Sequence, residues 1–248
     1  AAFESGQWKP EGREKQLEFA LRALPPAQAS GVLSRALASR PIDPSGSGPW
    51  IELIGQAGGP GELKVLLSAI ESGSLQPAAA ARAARAMAEA LRLRKVRVEG
   101  DGRAAGMLLE HASTEVREAG ARWAGLIKDP ARVARLAELL GSDPSAAVRE
   151  ASLAALRQTG GTATVELLRQ RSAKGALEGR VAAIGALASL DASAAVAPAL
   201  EVAQGLSDEA LALALWRGLI SPKGSAKAVA EAISARQTPG KAWLAPAV

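Results

Sequence analysis

Residues 116–127 read VREAGARWAGLI, and residues 148–159 read VREASLAALRQT. Both stretches place small or apolar residues at positions i, i+3, i+4, i+7 and i+8, which form one face of an amphipathic helix. In the first stretch these residues are Val116, Ala119, Gly120, Trp123 and Ala124. In the second they are Val148, Ala151, Ser152, Ala155 and Leu156. The two stretches therefore predict two equivalent helices, 32 residues apart.

The same stripe recurs twice more along the chain, after 31 and then 29 residues. Its members there are Ala182, Ala183, Ala186 and Leu187, and then Leu211, Ala212, Leu215 and Trp216. A second helical pattern follows each copy, at 130–140, 162–172, 191–203 and 222–235. Internal similarity at a fixed period of this length is typical of a repeat protein whose unit is a helix pair.

The N-terminal half shows the same organisation in a looser register. Helices are predicted at 13–24, 27–39, 50–58, 61–71, 77–95 and 102–112, so the whole chain contains about seven helix pairs. Residues 41–49, PIDPSGSGP, read as a long loop between helices. We expect a single domain over 1–248, with weaker repeats at 13–112, clear repeats at 114–235 and a C-terminal cap at 236–248.

Composition agrees with an all-α fold and excludes several kinds of chemistry. Alanine and leucine dominate, whereas aromatic residues make up only 3 % of the chain, which disfavours sheets. The absence of cysteine excludes disulfides, thiolate metal sites and covalent haem attachment within these 248 residues. The net charge of +5 is modest for a nucleic-acid binder. No apolar run is long enough to span a membrane, and the start at Ala1 suggests a processed protein or a piece of a longer one.

The segment 143–151, DPSAAVREA, resembles the HEAT repeat in its short form of about thirty residues, the type also found in bilin (PBS) lyases. The resemblance is clear over 114–235 and weaker over 13–112. It implies a right-handed α-solenoid, in which one helix of each pair lies on the convex side and the other on the concave side. Neighbouring repeats then bury each other instead of surrounding one central core.

The order of segments is also similar to the helical-repeat region of very large planctomycete-type bacterial proteins. The relevant segments are IELIGQAGG at 51–59, LRLRKVRVEGDG at 91–102, the paired Val-Arg repeats, and TPGKAWLAPAV at 238–248. In those proteins the region lies between a β-propeller dehydrogenase-like module and a c-type cytochrome module. The resemblance implies a module of a larger protein in the periplasm or cell envelope, with the redox chemistry in other modules. Without the resemblance, the sequence predicts a soluble chain and does not assign its compartment.

The residues that most often carry chemistry have structural explanations here. His111, the only histidine, lies at the end of a predicted helix, where a cation is favoured. Trp123 and Trp216 are expected in the core, although a helical-repeat DNA glycosylase would aim such residues into its groove. Arg117 and Arg149 recur with the repeat, and at least one is expected to form an ion pair with a turn carboxylate, Asp129 or Asp143. No catalytic residue, metal ligand or cofactor is therefore predicted.

The second helices of the pairs are expected to form the concave surface and to bind a partner. Their predicted solvent-facing cations are Lys64, Arg103, Arg132, Arg135, Arg169 and Arg171, interspersed with acidic residues. This pattern favours a non-enzymatic scaffold or protein-interaction module, whose partner is another protein or a flanking domain. Two alternatives stay open: nucleic-acid backbone binding by a basic groove, and an enzyme resembling the bilin lyases. No small-molecule substrate is evident.

Overall fold

In a computed structural model the chain is all-α, as the sequence predicts. The structure describes residues 14–38 and 42–235, and within them it contains fourteen α-helices, one short 3₁₀ helix and no strand. The fourteen helices agree with about seven helix pairs. None of the helices in these two ranges has both the length and the hydropathy needed to cross a membrane. The predicted C-terminal cap, 236–248, lies outside the described residues.

The first of two compact units covers residues 1–127. Its helices are α1 (Glu14–Ala23), α2 (Pro26–Ala38), α3 (Trp50–Ala57), α4 (Pro60–Glu71), α5 (Pro77–Arg94), α6 (Asp101–Leu109) and α7 (Thr114–Ile127). Helices α1, α3, α5 and α7 pack side by side as one layer, and α2, α4 and α6 form the other. This two-layered stacking of helix pairs is that of an α-solenoid.

The second unit covers residues 128–248. It contains the 3₁₀ helix Pro130–Arg132 and then α8 (Val133–Ser142), α9 (Ala146–Thr159), α10 (Gly161–Ala173), α11 (Leu177–Leu190), α12 (Ala192–Gln204), α13 (Glu209–Ile220) and α14 (Ser225–Ala235). Helix α11 packs against α9 and α13 in one layer, while α8, α10, α12 and α14 form the second. Each unit thus repeats the same solenoid arrangement, and one domain over the whole chain stays a prediction.

The repeated small and apolar stripe is the buried face of the first helices, as predicted. In α7 and α9 all ten stripe residues are buried. In α11 and α13 the stripe is buried except at Ala182 and Leu211, which are half-buried. Trp123 is 1 % exposed and fills the largest share of this core, so its predicted structural role is confirmed. Trp216 is buried as well.

Polar side chains cap several of the helix starts in the second unit. Asp129 accepts a hydrogen bond from the amide of Ala131, and Asp208 accepts one from the amide of Leu211, as N-cap carboxylates do. Ser145 caps α9, where its side chain accepts a hydrogen bond from the amide of Val148. The start predicted at 222 is wrong: α14 begins at Ser225, after a turn.

An arginine of α5 binds the loop over residues 42–49. The guanidinium of Arg82 donates to the carbonyl oxygens of Gly46 and Gly48, at 2.7 and 3.2 Å. It also forms two 2.7 Å hydrogen bonds to the carboxylate of Glu52 on α3. Burial acts to raise the pKa of Glu52, but the bonds and the positive charge of Arg82 outweigh it and lower that pKa. The predicted loop is therefore anchored to two helices of its own unit.

Candidate interaction surface

In the first unit, the second-helix layer carries two of the predicted partner-binding cations, on different helices. Lys64 is exposed on α4, and Arg103 is exposed on α6. The guanidinium of Arg103 lies 2.7 Å from the carboxylate of Glu71, which belongs to α4. The pair ties the two second helices together at the surface, and it compensates one of the two positive charges locally.

In the second unit, three of the four predicted cations are paired with carboxylates close in sequence. Arg132 lies 3.2 Å from Asp129, Arg135 lies 2.9 Å from Glu138, and Arg169 lies 3.3 Å from Glu166. Arg171 is exposed on α10 without an ion pair among the described residues. The layer therefore carries mixed charges, which weakens the attraction for a phosphate backbone that a row of free cations would have.

An open cleft of about 610 Å³ lies between α10 and α12 in the second unit. Its volume is within the range of ligand-binding clefts in proteins. Among the six predicted cations, only Arg169 lines it. Five of its ten lining residues are serine or alanine. The lining residues are Arg169, Ser172, Ala173, Ser193, Ala194, Ala197, Pro198, Leu200, Glu201 and Gln204.

The two walls of the cleft are joined by Arg180, which extends from α11. Its Nε donates to the main-chain oxygen of Ser172 at the end of α10, at 2.8 Å. Its Nη2 donates to Oε1 of Glu201 on α12, at 2.9 Å. The Arg180 side chain is 19 % exposed, whereas that of Glu201 is 68 % exposed. Arg180, on the third helix α11, therefore fixes the spacing of α10 and α12. It leaves Glu201 accessible from the cleft.

The N-terminal end of the α12 wall is shaped by Asp191. Its Oδ1 accepts hydrogen bonds from the hydroxyl of Ser193, at 2.6 Å, and from the amide of Ala194, at 3.0 Å. These hydrogen bonds, with the Ser193 hydroxyl first, lower the pKa of Asp191, and the positive charge of Arg169 adds to the effect. Arg169 lines the same cleft as Ser193 and Ala194, which belong to the first turn of α12.

Pro198 lies inside α12. A proline in a helix interior has no N–H to give to the carbonyl four residues earlier, and its ring disturbs the preceding turn, at a cost of about 3 kcal/mol. The carbonyl of Ala194 therefore lacks its helical partner. Because Ala194 and Pro198 both line the cleft, this irregular turn of α12 is part of the cleft wall.

The recurring arginines Arg117 and Arg149 bind the turn that precedes their own helix. Nη1 of Arg117 donates to the main-chain oxygens of His111 and Ala112, at 2.9 and 2.7 Å. Nη1 of Arg149 donates to those of Asp143 and Pro144, at 2.7 and 3.1 Å. Nη1 of each arginine thus contacts main-chain carbonyls, and an ion pair of at least one of them with Asp129 or Asp143 stays a prediction.

His111 is part of the same repeated turn. Its Nδ1 accepts a hydrogen bond from the amide of Ser113, at 3.0 Å. Thirty-two residues later, Oδ1 of Asp143 accepts one from the amide of Ser145, at 2.9 Å. The only histidine thus has a structural role, as expected, although it acts through the turn and not through the helix dipole. The sequence signal for this turn is the shared spacing Ser-x-x-Val-Arg at 113–117 and 145–149.

A buried carboxylate in the first unit joins α2 to α4. Glu62 is 5 % exposed and accepts hydrogen bonds from the hydroxyls of Ser30, at 2.8 Å, and Ser34. Its Oε2 also accepts the amide of Gly59, at 2.6 Å. Burial acts to raise the pKa of Glu62, but these three donors outweigh it and lower that pKa. Sequence reasoning missed this cluster, because two serines and a glutamate about thirty residues apart form no recognisable motif.

The described parts of the chain contain no group of three or more histidine or acidic side chains arranged to hold a metal ion.

The helix pairs, their buried stripes and the repeated arginine turn define an α-helical repeat protein. Residues 105–188 match the family model of HEAT repeats, which covers about a third of the 248 residues. Together with the helical architecture, the match supports a HEAT-repeat helical module. No curated protein and no solved structure matches the chain.

Proposed function

We propose that the chain is a non-enzymatic scaffold that binds a protein partner, or a flanking domain of its own polypeptide, through its second helices. The observation that carries the proposal is the open cleft between α10 and α12, in the part of the chain that matches HEAT repeats or follows it directly. HEAT repeats commonly serve as protein-interaction scaffolds. The predicted cations Lys64, Arg103, Arg132, Arg135, Arg169 and Arg171 are proposed contacts on this layer.

We further propose that the chain is a module of a larger bacterial protein. The order of its segments supports this proposal, because it is similar to the helical-repeat region of the planctomycete-type proteins. If the proposal holds, the flanking domains supply any chemistry, and the helical module supplies spacing and recognition. The full reading frame of the gene tests it, since an adjoining propeller or Cys-x-x-Cys-His segment is expected.

Site-specific photo-crosslinking tests the binding proposal on the intact chain. Benzoylphenylalanine is placed at the exposed second-helix positions 64 and 171 and, as matched controls, at the exposed first-helix positions 92 and 157. Extract of the source organism supplies the partner. Crosslinks to one discrete polypeptide from 64 or 171, and not from 92 or 157, support the proposal. Equal crosslinking from all four positions, or none, contradicts it.

Nucleic-acid binding and bilin-lyase activity are alternatives that the same protein preparation tests. Backbone binding to DNA gives a strong dependence of affinity on salt, because each cation that contacts a phosphate releases a counterion. With Arg103, Arg132, Arg135 and Arg169 paired to carboxylates, we expect no retention of a short duplex at physiological ionic strength. Retention there, or retention of a tetrapyrrole, would replace the scaffold proposal.

A further inference from the structure

The cleft between α10 and α12 has opposite charges at its two ends. Arg169 lies near the first turn of α12, where Asp191 and Ser193 begin the helix. Glu201 lies about two turns further along the same wall. Its Oε1 is bound by Arg180, whereas its Oε2 has no partner within the described part of the chain. A ligand along α12 therefore meets a cation first and a carboxylate second.

Glu166, which pairs with Arg169 in the structure, competes only weakly with a ligand for this arginine. Arg169 and Glu166 are each about half exposed, at 54 % and 51 % of the side chain, and their closest atoms are 3.3 Å apart. Exposed pairs of this kind contribute little free energy, because water screens both charges. The guanidinium is therefore available to exchange Glu166 for a carboxylate that enters the cleft.

The wall between the two charges offers a main-chain acceptor and little bulk. The carbonyl of Ala194 lacks the N–H that residue 198 would give in a regular helix, because residue 198 is proline. An exposed peptide N–H can supply the missing donor. Ala194, Ala197 and Pro198 present only small side chains to the cleft, so the backbone of a ligand can approach closely. These features suit an extended peptide better than a helix, whose own amides are already bonded.

The length of the wall sets the spacing of charges in the ligand. Residues 193 and 201 are eight apart in α12, which corresponds to about 12 Å at the helical rise. An extended chain covers about 13 Å in four residues. Positions four apart in an extended chain also project to the same face, as does the position midway between them.

We propose that this cleft binds an extended peptide segment that carries an acidic residue and, four positions away, a basic residue. The acidic side chain pairs with Arg169, the basic one with Oε2 of Glu201, and a backbone N–H of the peptide donates to the carbonyl of Ala194. The side chain midway between the charges contacts Ala197 and Pro198. This inference names the chemistry of the partner and rests on the proposed scaffold function.

A defined peptide tests the inference on the full chain. The probe is the end-capped sequence Gly-Asp-Ser-Val-Ser-Lys-Gly, and amide shifts of the labelled protein report its binding at low salt. Shifts confined to 169–173 and 193–204 are expected. Arg169→Glu should weaken binding at least tenfold, and a peptide with Lys in place of Asp should recover it. The matched control Arg157→Glu, at an exposed position of α9 outside the cleft, should change binding less than twofold.

Pro198→Ala separates binding from stability. The substitution restores the helical hydrogen bond to Ala194, so the protein should become more stable while its affinity for the peptide falls several-fold. No shifts at millimolar peptide, or equal losses from Arg169→Glu and Arg157→Glu, would overturn the inference. Crosslinks from positions 64 and 171 would still support the scaffold function in that case, so the two proposals fail separately.

Discussion

The guanidinium Nη1 of Arg94 lies 2.6 Å from the carbonyl oxygen of Gly58, so the last residue of α5 closes the C-terminal end of α3. Its Nη2 donates to the carbonyl of Gly55 in the same helix end, at 2.9 Å. Burial lowers the pKa of Arg94, because the charged form loses water that these carbonyls only partly replace. The cation-rich stretch 91–103 is therefore a helix end and its connection, and one of its cations binds the neighbouring repeat.

Arg94→Met should destabilise the protein by about 2–3 kcal/mol, because buried carbonyls lose a charged donor. Arg94→Lys keeps the charge but not the planar fork, so it should recover only part of the loss. Urea unfolding measures both effects. The control Arg92→Ala, exposed in the same turn, should stay within about 0.5 kcal/mol of the unsubstituted chain. An equal loss at both positions would contradict the capping role.

Arg149→Ala should destabilise the start of α9 by about 1–2 kcal/mol, since two main-chain carbonyls of the turn lose their donor. Hydrogen exchange of the amides over 143–149 measures this locally. Arg157→Ala is the matched control, because Arg157 is exposed near the end of the same helix. Faster exchange in the turn for Arg149→Ala alone is expected; unchanged exchange would show that the turn holds without its arginine.

Gly55→Ala should destabilise the first unit by about 1–3 kcal/mol through overpacking. A Cβ at position 55 would lie 2.8 Å from the Cα of Ala86, so α3 and α5 would have to separate. A Cβ at Gly61, in the helical α4, meets nothing within 4 Å. Gly61→Ala should therefore leave the melting temperature unchanged or raise it, and a comparable loss from the two substitutions would argue against close packing at Gly55.

Glu62→Gln should reduce the dependence of stability on acid pH. The folded-state pKa of Glu62 lies below its ordinary value of 4.5, so its contribution is present above that value and is lost as the pH falls through the folded pKa. At neutral pH the substitution should cost about 1–2 kcal/mol, because an amide cannot accept all three hydrogen bonds. Thermal melts from pH 7 to pH 3 measure both effects. Glu99→Gln, at an exposed position, should retain the full pH dependence.

The helices were predictable because their signal is local and repeated. The stripe from Val116 to Ala124 must be buried wherever neighbouring repeats stack, and its recurrence at Val148 confirms the period. The helix starts were less predictable. Asp143 and Ser145 are both good capping residues, and which of them caps α9 depends on the turn that Arg149 holds.

The candidate surface was predictable only as a set of cations on second helices. Whether Arg103 is paired depends on Glu71, 32 residues earlier, and therefore on how repeats align in space. The cleft depends on the distance between α10 and α12, which Arg180 sets from a third helix. Pro198 was visible in the sequence, but its effect on the Ala194 carbonyl matters only because that residue lines the cleft.

The arginine turn has a consequence for how such a chain can be lengthened. Arg117 and Arg149 recognise carbonyl oxygens, which every residue possesses, and so they set no requirement on the side chains at 111–112 or 143–144. His-Ala in one turn and Asp-Pro in the other satisfy them equally. A duplicated repeat that brings its own arginine therefore also brings the donor that holds its connecting turn, whichever residues supply the two carbonyls.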